Sequence, residues 1–228
     1  MIVLKYNHRQ GHGSMWTQLL NRIRLGYSEL TPDDIKLLQS RCVSEVNVDP
    51  NVLHAYQSNA ECADYNDGML NRIDAPLFTI RATIKAPLGL RNRVSISEDG
   101  RVGKTAFVES LNIKVGARVK LVYNVWTSDS LVNGAMGNIV GINKTPEGYV
   151  DFIAVSFDKP KAGTNQRKKY PKQHAKYASR NGTPIFRHEM SFDLSKRVNS
   201  GQGTVTQFPL KLAWAQTSHS LQVKNVME

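Results

Sequence analysis

Residues 111–142 carry the feature that most constrains how this chain can fold. Apolar side chains recur there at every second position, which is the period of a half-buried strand: Val119, Leu121 and Tyr123. Asn133-Gly134 is a dipeptide typical of hairpins, because both residues tolerate a positive φ. Gly137 and Gly141 flank a second short strand. The segment therefore predicts a small β-rich module.

The rest of this module is predicted from similar patterns. Short strands are expected at 118–124, 137–143, 150–157 and 184–189, with a long basic linker at 159–182. Strands of this length with long connections favour a small SH3-like β-barrel.

The flanking segments predict an open α/β layer. Before the module, strands and helices are expected in the order strand, two helices, strand, helix and strand, at 2–6, 14–25, 32–41, 52–57, 60–71 and 77–84. Thr31 followed by Pro32 is a helix start, and Ser58 and Glu61 have the spacing of a capping box.

After the module, a strand at 204–208 is expected, and Pro209 is expected to open a helix. The apolar stripe of that helix comprises Leu210, Ala213, Trp214, Thr217 and Leu221, with His219 on the opposite face.

The net charge of +11 is concentrated in one part of the chain. Residues 159–197 contain eleven Lys and Arg residues and two acidic residues, together with Tyr170 and Tyr177. Cationic side chains neutralise phosphates and aromatic rings stack on bases, so this composition favours nucleic acid as the partner. The alternative is a solvated, partly disordered basic loop without a ligand.

Other classes of protein fit the sequence poorly. No apolar run approaches the length needed to cross a membrane, and the N-terminus does not resemble a secretory leader, so we expect a soluble nuclear or cytoplasmic protein. Cys42 and Cys62 are expected to be free thiols. His8 and His12 have a loose metal-like spacing, but the neighbouring glycines argue against a zinc site, and no metal ligands are predicted.

Gly103-Lys104-Thr105 has the form of the end of a phosphate-binding loop. That loop needs a glycine five residues before Gly103, where this chain has Glu98, whose charge would repel phosphates. We therefore do not expect a nucleotide loop here.

Four segments in order resemble the petite-integration-frequency (PIF) family of ATP-dependent DNA helicases, including those of Helitron-type transposons. They are "NHRQ" with "LLNRIRLG" and "TPDDIKLLQSR" near the N-terminus, "AYQSNAECADYNDGML" at 55–70, the glycine-bearing block 111–142, and "QFPLKLAWAQTSHSLQ" at 207–222. The resemblance implies an α/β fold: the second RecA-like domain, a parallel-sheet domain of an incomplete P-loop NTPase helicase fold, interrupted by the barrel. The implied division is 1–117 and 201–228 for the RecA-like domain and 118–200 for the insert.

The resemblance also implies site residues. Arg9 matches the arginine that reaches the γ-phosphate of ATP and would be catalytic, with Gln10 and Gln222 beside the ATP cleft. Ser58 and Asn59, and then Thr217 and His219, match residues that contact DNA. From composition we add the basic residues Arg167, Lys168, Lys169 and Lys172 as DNA-binding candidates.

Departures from the family limit the expected activity. Ser220, Leu221 and Val223 stand where the family has lysine, serine and glycine, and no counterpart of the first motor domain is present in these 228 residues. We expect ATP and Mg²⁺ to act in a full-length parent, with neither bound tightly to this chain alone, so whether the chain is an enzyme stays open.

The parent activity implied is 5′-to-3′ DNA unwinding in replication, repair, recombination, transposition or telomere maintenance. The expected partners are single-stranded DNA and a first motor domain. The alternative is a non-catalytic nucleic-acid-binding protein whose barrel is the working part.

Overall fold

The computed structural model describes residues 14–43, 52–194 and 201–221. The chain divides into two compact units, Met1–Pro50 and Asn51–Glu228. The strand expected at 2–6 lies outside the described residues. None of the described helices is long and apolar enough to cross a membrane.

The first unit contains the two predicted helices, α1 (Met15–Leu25) and α2 (Pro32–Gln39), with a 3₁₀ turn between them at Tyr27–Glu29. Thr31 caps α2, as its sequence predicts, and it also forms a capping box with Asp34. Arg22 joins the helices through two hydrogen bonds of 2.6 Å from its guanidinium to the Asp34 carboxylate. Those bonds hold the pKa of the buried Asp34 well below its usual range.

Most elements of the second unit are short strands. They are β1 (His54–Tyr56), β2 (Phe78–Arg81), β3 (Thr83–Lys85), β4 (Ser110–Ile113), β5 (Arg118–Leu121), β6 (Met136–Lys144), β7 (Val150–Phe157), β8 (Thr183–Ile185), β9 (His188–Asp193), β10 (Gln202–Gln207), β11 (Leu210–Leu212) and β12 (Ala215–Thr217). The helices are α3 (Asn59–Asn71), α4 (Thr164–Lys169), α5 (Pro171–Ala175) and α6 (Ser218–Leu221). Short 3₁₀ turns lie at Arg91–Arg93, Thr127–Asp129 and Ala178–Arg180.

These strands form both parallel and antiparallel pairs, as an α/β fold allows, but among the described strands the expected parallel sheet is represented by one pair. The largest sheet is antiparallel with the order β11-β5-β6-β7-β8; β3-β10-β9 and β2-β4 form two smaller antiparallel sheets, and β1 pairs with β12 in parallel. The main core lies around the five-stranded sheet and includes the buried side chains of Val119, Leu121, Ile139, Ile153 and Phe208.

The described strands do not form the predicted SH3-like barrel. The five-stranded sheet ends at β11 and β8, and within the described part of the chain these edges pair with no further strand that would close a barrel. The segment predicted as one strand at 184–189 is divided between β8 and β9, which belong to different sheets. The segment predicted at 77–84 likewise breaks into β2 and β3.

The helix predicted from Pro209 is wrong. Residues 210–217 form β11 and β12, and only Ser218–Leu221 is helical. β11 lies against β5, with Leu210 opposite Leu121, and β12 lies against β1. The apolar spacing matched a helix, but pairing with two strands distant in sequence overrides that local preference.

The basic linker is more ordered than its composition predicts. It contains α4, α5 and a 3₁₀ turn, and it packs on β8. The carboxylate of buried Asp129 accepts hydrogen bonds of 2.8 Å from the backbone amides of Asn165 and Gln166, which satisfies free donors at the start of α4. Asp129 thereby fixes the basic segment to the loop between β5 and β6.

Asn133-Gly134 turns the chain, but in a different geometry from the predicted hairpin. Only Gly134 has a positive φ, +92°, and the Ala135 amide donates to the Val132 carbonyl. This arrangement corresponds to a type II turn, within the long connection from β5 to β6.

Helix α3 is fixed to β12 by one buried side chain. The Asn66 amide nitrogen donates to the Ala215 carbonyl at 3.1 Å, and the Asn66 oxygen accepts from the Ala215 amide at 2.9 Å. This pair of hydrogen bonds joins residues 149 positions apart in sequence. It sets where α3 begins relative to the end of β12.

Replacing Asn66 with leucine should destabilise the second unit by about 1–3 kcal/mol, because the amide and carbonyl of Ala215 then lose their partner. Urea unfolding measures this change. Asn71→Leu, at an exposed position near the end of the same helix, is the matched control and should have little effect. Equal stability of the two variants would contradict the role of Asn66.

Alanine substitutions at two glycines should change the stability of the second unit in opposite directions. A Cβ at Gly137 would lie 2.4 Å from the Ser156 carbonyl oxygen across β6 and β7, so Gly137→Ala should destabilise by on the order of 1–3 kcal/mol. Gly68 is exposed within α3 and has open space around it, so Gly68→Ala should stabilise by about 0.5–1 kcal/mol. Thermal unfolding of both variants tests this pair, and a stabilising Gly137→Ala would refute the steric account.

Candidate nucleic-acid interface

The parallel strands β1 and β12 end at the same edge of their sheet. Tyr56 lies opposite Thr217 in the register, and each strand is followed by a helix, α3 after β1 and α6 after β12. The carboxyl ends of parallel strands are the usual place for a ligand in α/β sheets. We call this place the strand-end edge, defined by Ser58, Asn59, Thr217 and His219.

Ser58 and Asn59 begin α3 at this edge. The Ser58 hydroxyl accepts from the Glu61 amide at 3.2 Å and the Ser58 amide donates to the Glu61 carboxylate at 2.9 Å, which completes the predicted capping box. The Ser58 hydroxyl also donates to that carboxylate at 2.7 Å. These bonds lower the pKa of Glu61. Asn59 is exposed and its side chain makes no hydrogen bond to the described residues, so it is available to a ligand.

Thr217 and His219 approach the edge from the other strand. Thr217 is half-buried, and its hydroxyl and carbonyl accept hydrogen bonds from the amide and hydroxyl of Ser220. His219 is exposed. The structure thus brings the two pairs of candidates together on neighbouring strand ends, although more than 150 residues separate them in sequence.

An aromatic group supports the same region. The Tyr65 hydroxyl is hydrogen-bonded to the His54 Nε2 at 2.8 Å, and the ring centroids of Tyr56 and Tyr65 are 5.6 Å apart. These half-buried rings join β1 to α3. These rings were not among the residues predicted from the sequence.

The basic candidates lie on a different part of the second unit, which we call the basic helices, α4 and α5. Lys168, Lys169 and Lys172 are exposed there. Arg167 is different, because its guanidinium donates to the carbonyls of Ala162 and Pro160 and to the hydroxyls of Thr183 and Thr164. Arg167 therefore holds the segment in place, and the three lysines present the charge.

The ATP-cleft candidates Arg9, Gln10 and Gln222 lie outside the described residues, so their roles stay predictions. In the described ranges, no group of three or more His, Cys, Asp or Glu side chains could hold a metal ion. His8 and His12 lie outside the described residues.

Gly103-Lys104-Thr105 is part of a tight turn and not a phosphate cradle. Thr105 is buried, and its hydroxyl donates to the Val102 carbonyl at 2.7 Å. A Cβ at Gly103 would lie 2.8 Å from the Phe192 ring, so the glycine is required by packing. Cys42 and Cys62 are both free thiols.

Sequence reasoning missed Asn66, which positions the strand-end edge. A signal was present, because residues 58–66 resemble a strand–helix pattern of the helicase family, "T-N-x-x-V-x-x-x-N", in which Asn66 takes the last position. It also missed Trp126 and Phe186, which line a pocket beside Tyr170. No spacing rule could have found them, because they come from separate segments.

No protein-family model matches the chain. A curated relative, the ATP-dependent DNA helicase Pif1 of Campylobacter jejuni, is 27% identical over 173 residues. That match covers 72% of this chain and 32% of the relative, so the chain spans about a third of the relative's length.

Solved helicase structures share the fold. Bacteroides Pif1 bound to single-stranded DNA has a TM-score of 0.57 at 21% identity, covering 91% of this chain and 40% of that one. Pif1 of Candida albicans has a TM-score of 0.57 at 17% identity, covering 95% of this chain and 46% of that one. This chain is therefore similar in sequence to part of a Pif1 helicase, and it shares the fold of the matching part of the solved Pif1 structures.

Proposed function

We propose that this chain is the part of a Pif1-type ATP-dependent 5′-to-3′ DNA helicase that binds single-stranded DNA. By itself, the chain does not hydrolyse ATP. The observation that supports this most directly is the strand-end edge. It presents the exposed side-chain amide of Asn59, beside the capped start of α3, at the carboxyl ends of parallel strands, which is a place that suits a phosphate backbone.

We assign β1, α3 and β12 to a RecA-like motor domain. The five-stranded sheet with the basic helices takes the place of the SH3-like insert. In this assignment, residues 118–200 contain most of the five-stranded sheet, and most strands of the smaller sheets lie outside that range. There are two exceptions: β9 lies within the range but pairs with β10, and β11 lies outside it but pairs with β5. The Candida and Bacteroides likenesses support the fold part of this assignment.

Two groups of residues then contact the strand. Asn59, Thr217 and His219 with the start of α3 hold the backbone at the strand-end edge, and Lys168, Lys169 and Lys172 attract it electrostatically. Arg9, Gln10 and Gln222 would face ATP only when a first motor domain, on this chain's parent or on another chain, supplies a phosphate loop. The 228 residues contain no Gly-x-x-x-x-Gly-Lys-Ser/Thr sequence.

Replacing Lys168, Lys169 and Lys172 together with alanine should lower the affinity for single-stranded DNA and reduce its salt dependence. Each lost phosphate contact lowers the slope of log K against log salt by about 0.7, hence by about 2 for the three. Fluorescence anisotropy at several salt concentrations measures both quantities. Lys104→Ala, an exposed lysine in the tight turn, is the control and should change neither.

An unchanged slope in the triple variant would remove the basic helices from the interface. A parallel titration with an RNA strand of the same length tests the choice of DNA. Stronger binding of RNA, abolished by the triple variant, would instead support a separate RNA-binding module.

The isolated chain should release no phosphate from ATP above background when single-stranded DNA is present, because it supplies no phosphate loop. A phosphate-release assay measures this. Turnover by the native chain that an Arg9→Ala variant loses would contradict the proposal.

A further inference from the structure

A pocket of about 400 Å³ lies where three segments of the second unit meet. Trp126 comes from the connection between β5 and β6, Lys169 and Tyr170 from the end of α4, and Phe186 and Arg187 from the link between β8 and β9. Its volume lies within the range of about 300–1,000 Å³ that is usual for small-ligand sites.

Aromatic rings form two walls of this pocket. The ring centroids of Tyr170 and Phe186 are 4.6 Å apart and tilted by 51°. The Lys169 ammonium lies 5.7 Å from the centre of the Trp126 ring and 5.4 Å from that of Tyr170, within cation–π range of both. All three rings are half-buried, so each leaves part of its surface for a ligand.

The charges of the pocket are positive and unpaired. Lys169 and Arg187 make no ion pair with a described carboxylate, and Arg187 instead packs over the Phe208 ring at 5.1 Å and donates to the Arg81 carbonyl at 3.1 Å. Burial lowers the pKa of both Arg187 and His188, which favours the uncharged form of the flat His188 ring that lines the pocket. A half-buried cation without a carboxylate partner is stabilised when an anion binds beside it.

Flat aromatic walls beside cations match one chemistry, a nucleobase with its phosphate. A carboxylate or inorganic phosphate would use the cations but not the rings. An apolar ligand would leave the cations without a partner. The pocket also adjoins the basic helices, whose exposed lysines would guide a negatively charged strand towards it.

We propose that this pocket holds one nucleotide of the single-stranded nucleic acid, with the base stacked among Trp126, Tyr170 and Phe186 and the phosphate at Lys169 and Arg187. This proposal rests on the proposed function and adds a second, base-contacting site apart from the strand-end edge. It also implies that the strand is held by its bases and not only by its backbone.

The test compares an oligothymidine strand with an abasic strand of equal length, by fluorescence anisotropy on the full chain. Tyr170→Ala should weaken binding of the thymidine strand roughly tenfold and leave binding of the abasic strand unchanged. Tyr149→Ala, which alters an exposed tyrosine in the turn between β6 and β7, should change neither.

A second measurement does not depend on the folding of that variant. Binding of the thymidine strand should quench tryptophan fluorescence, and Trp126→Phe should lose most of the quenching while keeping the affinity within about twofold, since phenylalanine still stacks. Thymidine monophosphate, tested as a free nucleotide, should quench tryptophan fluorescence only at far higher concentrations than the strand.

Different results would overturn different claims. If Tyr170→Ala lowers the affinity for both strands equally, or does not lower the affinity for the thymidine strand, Tyr170 is excluded as a base contact. Quenching by the free nucleotide at concentrations equal to those of the strand would make the pocket a mononucleotide site. If the native chain binds neither strand, the proposed function fails as well. If the native chain binds the strands and the variants keep its ratio of affinities for the thymidine and abasic strands, only the proposal about the pocket is refuted.

Discussion

The second unit depends on how residues 202–217 pair. In this short stretch, β10 joins the three-stranded sheet, β11 extends the five-stranded sheet and β12 completes the parallel pair. Buried Gln207 stabilises the passage of the chain from β10 to β11. Its side-chain amide donates to the Ile80 carbonyl, and its side-chain oxygen accepts from the Phe208 amide. Disrupting this stretch would therefore affect three sheets at once.

The same stretch creates the strand-end edge. Asn66 and Ala215 fix α3 against β12, so the starts of α3 and α6 reach the same edge even though their sequences are far apart. An amide side chain suits this role, since it supplies one donor and one acceptor to a single backbone residue. The geometry of the candidate site thus follows from a structural contact that touches no ligand.

The distribution of charge has a similar basis. Positive charge alone would favour an extended, solvated loop, because like charges repel. Asp129 and Arg167 oppose this tendency: the carboxylate caps α4 and the guanidinium is directed inwards to backbone carbonyls. The remaining lysines consequently lie on ordered helices beside the aromatic pocket.

The sequence alone determined the elements whose signals are local. The helix starts at Thr31, Pro32 and Ser58 and the strand at 150–157 depend on caps and on period-2 patterns, which involve only neighbouring residues. The family resemblance, which the Campylobacter relative confirms, also came from short ordered motifs.

Only the tertiary structure decided what depends on distant partners. It replaced most of the helix expected from Pro209 with two strands, left the five-stranded sheet open, and assembled a pocket from three separate segments. The physical reason is that a strand gains its hydrogen bonds and burial from a neighbour, and periodicity within one segment does not specify which neighbour that is.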